Sequence, residues 1–381
     1  MKILFVIDKM NNYAGIERIL TCKMNYIVSH TSYEVYLTTY EQRTQPLPFP
    51  LNANIIYKPL NIIMPQRYEM SLFQWLKAYY KVRHRFSYQF KSLVKDIHPD
   101  YVVSTVYSYQ VLDIIIMTCH QRGIKTIMES HTQGETVTLS YKFKYNQYLF
   151  KTFTLLDDYI MRSLKYCNCV VTLTRQDQPF WQRYAKRIEV IPNMLTITPK
   201  MVTNYDAKRV ISAGRYMPEK GFDLLIEAWN LLPEEFCDWH LYIFGNEDRT
   251  MYQKIVEKYQ KEKSVHLMSA TDDITEEFSK SSLYVMSSRY EGFGLVLAEA
   301  MSCGLPCVSF DCPYGPREII TDGKDGLLAK NKDVEDLAYK MSHLMANSEL
   351  RRIMGKHAIK DVTRYEPHNI MNLWINLFKA L

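Results

Sequence analysis

The sequence predicts an α/β protein built from two doubly wound domains, and three observations carry that prediction. Short β-branched runs alternate with helical segments through the first half: KILFVI, YEVYLTT, YVVST, KTIME and CVVTL. The rhythm restarts in the second half with RVISAG, HLYIFG, VHLM, SLYVMS and PCVSF. Strands separated by helices call for parallel pairing with crossovers on both faces of a sheet. Finally, 381 residues exceed what one hydrophobic core organises. The boundary is expected in VIPNMLTITP, 190–199, where two prolines and Asn193 break regular structure. The expected organisation is a first domain over 1–192, a second over 193–365, and a closing helix over 366–381 that folds back onto the first. In open α/β sheets ligands lie beyond the carboxyl ends of the strands, so two such domains facing one another are expected to offer a cleft.

The first element, in MKILFVIDKM, has five apolar residues between Lys2 and Asp8. That is too few for the apolar region of a signal peptide, so the segment reads as a buried first strand and a cytoplasmic protein is expected. From Leu72 to Ile97, the apolar residues Leu72, Leu76, Tyr79, Val82, Phe86, Phe90, Leu93 and Ile97 step by three or four, while Lys77, Lys81, Arg85, Lys91 and Lys95 fall largely off that stripe. This predicts an amphipathic helix with a basic flank. A surface helix packing its stripe on the core and a face that touches anionic lipid fit equally well. The aromatic and basic run YKFKYNQYLFKTF, 141–153, is a second candidate of that kind. The apolar run Val111 to Cys119 is interrupted by Asp113 and falls short of the ~20 residues that cross a bilayer. Helices are expected from about Val334 to Arg364, followed by Pro367 and the helically spaced NIMNLWINLFKAL.

Composition excludes several classes. With 47% hydrophobic and 23% charged residues the chain is globular rather than disordered. Residues 1–200 hold 25 Lys and Arg against 14 Asp and Glu, whereas residues 201–381 hold 22 against 27, so the halves have different surroundings. No nucleic-acid-binding motif accompanies the basic residues, and no nucleic acid partner is expected. The eight cysteines sit mostly among apolar residues and read as reduced core thiols. Cys303, Cys307 and Cys312 are close in sequence, but no His joins them as a zinc site would require.

Chemistry concentrates in two stretches of the second half. In RYEGFGLVLAEAMSCGLP, 289–306, SLYVMSS supplies the preceding strand, RYEGFG the loop at its carboxyl end, and LVLAEAMSC a helix whose first turn exposes unpaired amides. Such an end is an anion site, and Gly292 and Gly294 let a phosphate approach the backbone. Glu299 lies in an apolar setting where a sugar diol would satisfy it, and Glu291 sits in the loop. The alternative, of similar weight on spacing alone, is one helix-dipole Glu and one surface Glu. In SAGRYMPEKGFDLLIEAW, 212–229, Arg215 and Lys220 flank a turn with Pro218, and Gly221 opens the next helix. Two cations at a strand's carboxyl end suit a diphosphate, or else form a solvent-exposed charged turn.

Taken in order, YAGIER at 13–18, VIPN at 190–193, GRYMPEKG at 214–221, the Glu291 to Glu299 spacing, and CPYGPREIITDGKDGLL at 312–328 closely resemble glycosyltransferase family four. These are the retaining nucleotide-sugar transferases of the GT-B fold, and the resemblance spans nearly the whole chain. It implies that Arg215 and Lys220 bind the donor diphosphate, Glu299 the ribose, and Glu291 the donor sugar. It also implies His131, in MESHTQG, as the first-domain histidine near the reacting sugar, and Gly15 with Gly292, Phe293, Gly294 and Leu295 as donor-binding backbone. The N-terminal loop departs from the family's adjacent glycines, having Tyr13, Ala14 and Gly15 there.

The expected chemistry stabilises a departing phosphate and an oxocarbenium-like sugar through preorganised cations and amides, without metal or cofactor. No Asp-x-Asp pair, the usual metal–nucleotide anchor of the other major transferase fold, occurs in the sequence. Retention by same-face attack is implied, with Glu291 an orienting group rather than the nucleophile of a retaining glycosidase. The third motif resembles that of bacterial polysaccharide transferases using UDP-hexoses or UDP-N-acetylhexosamines. A UDP-sugar donor is therefore expected, with a lipid-linked saccharide of capsule, exopolysaccharide or lipopolysaccharide assembly as acceptor. Peripheral association with the inner, anionic face of the plasma membrane follows. The rivals are a nucleotide-sugar epimerase of the same architecture and a catalytically silent subunit of a partner transferase.

Overall fold

The computed structural model describes residues 1–11, 15–65, 70–137, 147–199 and 203–381. Its contacts divide the chain into Met1–Pro192 with Met371–Leu381, and Asn193–Ile370.

The first unit contains strands β1 (Lys2–Ile7), β2 (Glu34–Thr39), β3 (Ile56–Tyr57), β4 (Tyr101–Thr105), β5 (Lys125–Glu129), β6 (Cys169–Thr172) and β7 (Ile188–Val190). They pair in parallel in the order β3-β2-β1-β4-β5-β6-β7, which reverses direction between β1 and β4. Each central strand is apolar on both faces because helices cover both: Ile3, Leu4, Val102, Val103, Val170 and Val171 are fully buried. The helices are α1 (Gly15–His30), α2 (Leu72–Ile97), α3 (Leu112–His120), α4 (Gln147–Arg162) and α5 (Gln178–Trp181).

Helix α2 starts at a capping box, Ser71 and Gln74 each bonding the other's backbone, and stops at His98, whose left-handed conformation returns an amide to Val94 O. Tyr79, Phe86, Phe90, Leu93 and Ile97 of the expected stripe are buried, joined by Trp75 and Val94, so the stripe packs on the core. Among the described side chains of that stripe, Val82 is partly buried and Leu76 is exposed, at 44%. The opposite face is not purely polar, since Phe73, Tyr80 and Tyr88 are exposed there with Lys77, Lys81, Lys91 and Lys95. Of the second basic-aromatic candidate, residues 141–146 lie outside the described residues and the rest begins α4. Among the described residues no helix is long and apolar enough to cross a membrane.

The second unit contains β8 (Arg209–Ala213), β9 (His240–Gly245), β10 (Val265–Ser269), β11 (Leu283–Met286), β12 (Cys307–Phe310) and β13 (Gly326–Ala329), all parallel, in the order β10-β9-β8-β11-β12-β13. Its helices are α6 (Phe222–Asn230), α7 (Thr250–Lys258), α8 (Ile274–Ser279), α9 (Leu295–Ser302), α10 (Pro316–Ile319), α11 (Val334–Met345) and α12 (Ser348–Val362). Here too the order reverses, between β8 and β11, and the loops leaving these two strands carry the motifs at 214–221 and 289–294. Helix α13 (Pro367–Ala380) closes the chain, and from Met371 onward it packs within the first unit. There Phe378 meets the Tyr101 ring edge-on at 5.2 Å, and Lys23 Nζ lies 3.8 Å from the centre of the Trp374 ring.

The three strands absent from the sequence-based prediction, β3, β7 and β13, are sheet edges. These three are two to four residues long, too short to show a periodicity of their own, whereas the fourth edge, β10, has five residues and is legible as VHLM.

Candidate active site

The turn between β8 and α6 begins at Gly214 and carries both candidate cations. Arg215 leaves it toward solvent, its guanidinium 3.1 Å from Glu219 Oε1. Lys220 folds back so that its methylenes lie over Gly214, 3.3 to 3.4 Å from where a Cβ would stand. Gly221 ends the turn at φ 62°, and a Cβ there would fall 2.1 Å from Ser287 O, the residue just past β11. A side chain at 221 would thus separate the two motif-bearing loops, and glycine supplies both the left-handed conformation and the close approach.

Side chains reinforce that contact. Arg289 donates its amide to Glu219 O at 2.8 Å and its Nη1 to Pro218 O at 2.6 Å. The same guanidinium forks onto Asp223 at 2.9 and 2.5 Å. A planar, two-pronged pairing fixes orientation as well as distance, so the β8–α6 turn and the β11–α9 loop form one rigid object. Ser287 Oγ adds a bond to Lys220 O at 2.9 Å.

Within this object Lys220 Nζ lies 2.7 Å from Glu291 Oε1, and Ser288 Oγ donates to the same oxygen at 2.6 Å. The Glu291 amide donates to Pro313 O at 3.0 Å, tying in the third motif. Gly315, at φ 107°, lies so close beneath the loop that a Cβ would stand 1.9 Å from Phe293 O. Gly294 adopts φ 94° and opens α9, where the first amide to bond back is that of Leu297, to Gly294 O at 2.9 Å. Amides ahead of that point have no partner inside the helix, as at any helix start. Phe293 turns its ring into the core edge-on against Tyr365 at 5.2 Å, so only its backbone faces the loop.

Glu299 is 1% exposed and accepts a bond from Thr196 Oγ1 at 2.7 Å. An ordinary solvated helix glutamate is thereby excluded. Burial drives the Tyr284 hydroxyl far above its usual range, and the charges of Glu291 and Glu299 add to that shift, placing both carboxylates in the electrostatic neighbourhood of β11. The Cys312 thiol is likewise raised by burial and by Glu291.

The remaining candidates belong to the first unit. Gly15 is the first residue of α1, and Tyr13 and Ala14 before it lie outside the described residues. His131 follows β5, its imidazole only 3% exposed with Nε2 3.3 Å from Glu129 Oε1. That carboxylate also pairs with Lys23, itself buried beneath Trp374. Burial opposes ionisation of Glu129, but the Lys23 ammonium, with the His131 ring beside it, prevails and holds its carboxyl at about 2. Asp177 fixes the following loop by accepting from Gly134 N at 3.0 Å, and Gly134 packs directly under the Phe180 ring.

The structure therefore brings Lys220, Glu291 and the glycines at 292 and 294 together around one loop, and leaves Arg215 solvent-facing in the adjoining turn. Sequence reasoning missed Arg289, Asp223, Ser288 and Thr196. Arg289 had a visible signal, a cation immediately before the candidate loop, but its partner lies 66 residues away. Thr196 follows the VIPN motif and reaches a residue 103 positions on.

Residues 196–361 match the family Glycosyl transferases group 1. An uncharacterized glycosyltransferase of Haemophilus influenzae is 31% identical over 188 residues, which are 48% of this chain and 53% of that protein. The chain thus spans about half the length of that relative. The amylovoran biosynthesis glycosyltransferase AmsD of Erwinia amylovora is 24% identical over 392 residues, covering 98% of each chain. Among solved structures, S. aureus TarM in complex with fondaparinux, alpha-GlcNAc-glycerol and UDP superposes with a TM-score of 0.76 over 99% of each chain at 16% identity, a likeness of fold. Residues 196–361 thus carry the likeness to the group 1 glycosyl transferases, and the chain has the two-sheet α/β fold of the GT-B glycosyltransferases.

Proposed function

We propose that this protein is a retaining glycosyltransferase that moves a hexose or N-acetylhexosamine from a UDP-sugar to a hydroxyl of a lipid-linked saccharide in bacterial polysaccharide assembly. The observation that carries this reading is the cation–glycine cradle of the second unit. Lys220 stands at the glycine loop that opens α9, and Arg289 staples its turn to that loop. A pyrophosphate suits this loop because the Lys220 ammonium at its edge, the Arg215 guanidinium in the adjoining turn and the helix-start amides are all donors to its oxygens. In this scheme Arg215, Lys220 and the amides of Gly292, Phe293, Gly294 and Leu295 stabilise the leaving diphosphate. Glu299, with Thr196 as its present partner, takes the ribose hydroxyls. Glu291 orients the sugar, and the family resemblance assigns Gly15 to the phosphates and His131 to the reacting carbon. No metal or cofactor has a part in the scheme.

UDP is favoured by the third motif and by the UDP-bound relative TarM. The polysaccharide setting is favoured by AmsD, whose match runs the length of both chains. Attachment to an anionic membrane surface, which a lipid-linked acceptor demands, is supported by the aromatic and basic outer face of α2.

Incubation with UDP-, GDP- and ADP-sugars without acceptor tests the reading. Release of UDP with free sugar is the expected result. An isomerised, intact donor would instead identify an epimerase, and no change with any donor a silent subunit. Lys220→Ala and Arg215→Ala are each expected to lower that rate by ~10²-fold or more, the loss seen when a charge-stabilising donor is removed from a preorganised site. Unchanged rates in both variants would end the assignment.

A further inference from the structure

The ammonium assigned to the diphosphate is already occupied. Lys220 Nζ rests 2.7 Å from Glu291 Oε1, with the two side chains 21% and 12% exposed. Ser288 Oγ holds the same carboxylate oxygen at 2.6 Å. A half-buried pair of this kind is not a loose surface contact, and neither partner is released without replacing what the other supplied.

We propose that Glu291 is the resident counter-ion of Lys220, that a nucleoside diphosphate binds by displacing it, and that the freed carboxylate makes the site select the intact nucleotide sugar over the free nucleotide. The proposal rests on the donor-site reading above. Its logic is an exchange of partners. Without ligand, Lys220 is neutralised by Glu291. When a diphosphate takes Lys220, Glu291 is left as an anion beside another anion, in a place where water reaches it poorly. A free nucleotide leaves it so. A nucleotide sugar offers hydroxyl donors to the same carboxylate and replaces the bond it lost. Ser288 keeps the carboxylate in the loop throughout, so the exchange needs rotation of side chains rather than movement of the backbone. The backbone is pinned at this point by Glu291 N to Pro313 O and by Arg289 to Glu219, Pro218 and Asp223. The consequence reaches product release, because the nucleotide left after transfer is again in competition with Glu291 for the lysine.

The prediction runs opposite to what deletion of a simple ligand-binding group gives. Isothermal titration of UDP into the full-length protein should show Glu291→Gln binding UDP about fivefold tighter than the wild type, the scale of one partly exposed ion pair. The same variant should hydrolyse the UDP-sugar more slowly, because the orienting carboxylate is gone. A double-mutant cycle with Lys220→Met separates exchange from plain repulsion between Glu291 and the phosphates. With exchange, the gain from Glu291→Gln disappears once Lys220 is absent. With repulsion alone it persists or grows in the Lys220→Met background, and the proposal falls. It falls equally if Glu291→Gln binds UDP no more tightly than the wild type. No UDP binding by the wild-type protein, or a Lys220→Met protein that binds UDP as well as the wild type, would reject the donor-site reading itself. Thermal melts of each variant establish that a lost signal is not lost folding.

Discussion

At the scale of single residues, the least legible feature is charge placed inside the first sheet. Lys23 and Glu129 lie 106 positions apart, one on a helix and one at the end of a strand, and nothing local announces their pairing. Lys23 in TCKMNY reads as a polar residue on an amphipathic helix, yet it is among the largest fully buried side chains. Asp8 is similar. It follows β1, where its carbonyl accepts from Tyr40 and Glu41 amides at 3.0 and 2.7 Å. Burial, with the Glu41 and Glu17 carboxylates adding to it, pushes the Asp8 carboxyl up from 3.8 to about 7. Because the folded value lies above the unfolded one, the protonated form is the one folding favours. Its contribution to stability is complete below about pH 4 and is lost as pH rises through 7. Asp8→Asn removes that loss. Its melting temperature should match the wild type near pH 4, rise above it progressively between pH 5 and 7, and stay above it at pH 8. A difference independent of pH across that range would show that Asp8 is not the titrating group.

At the scale of elements, the central strands and the long helices were readable because each carries its own periodicity. The loops were readable only as composition. GRYMPEKG and RYEGFG announce cations and glycines, but not that Gly221 and Gly315 serve as contact surfaces for neighbouring backbone. Two glycines at positive φ distinguish these roles by experiment. Gly323, at φ 79°, has open space around a would-be Cβ, whereas Gly315, at φ 107°, has Phe293 O at 1.9 Å. Gly323→Ala should therefore destabilise the protein by about 1–2 kcal/mol through backbone strain and leave UDP affinity unchanged. Gly315→Ala must displace the loop at 292–294 and should weaken UDP binding by about tenfold or more, as misplaced donors do in a preorganised site. Chemical denaturation and titration calorimetry read the two effects separately. Equal UDP affinities in the two variants would dissociate this loop from nucleotide binding. Edge strands mark the same limit from the side of the fold, since β3, β7 and β13 pair on one side only and carry too short a pattern to declare themselves.

At the scale of the whole molecule, the uneven charge of the two halves was plain in the sequence, but its use depends on which groups face outward. The outward stripe of α2 runs Phe73, Lys77, Tyr80, His84, Tyr88, Lys91 and Lys95, in steps of three or four, with Lys81 beside it. The inward stripe of the same helix accounts for the core, so the exposed aromatics, from 67% to 79%, are surplus to folding. Rings interleaved with lysines match a bilayer interface, where the rings seat at the headgroup level and each lysine near anionic lipid contributes about 1 kcal/mol. Two components with different salt responses follow. Co-sedimentation with vesicles containing phosphatidylglycerol should exceed that with neutral phosphatidylcholine vesicles, and should fall as sodium chloride rises and shortens the screening length below about 10 Å. Replacing Lys77, Lys81, Lys91 and Lys95 by Gln should abolish the preference for anionic vesicles. Replacing Phe73, Tyr80 and Tyr88 by Ser should weaken binding to the same degree at low and high salt, since insertion of rings is not screened. Both sets lie on the solvent face of α2 and should leave its melting behaviour intact. Equal sedimentation of the wild type with neutral and anionic vesicles would remove the electrostatic component, and an aromatic triple variant that binds as the wild type does would remove the other, leaving α2 as a surface helix with no membrane role.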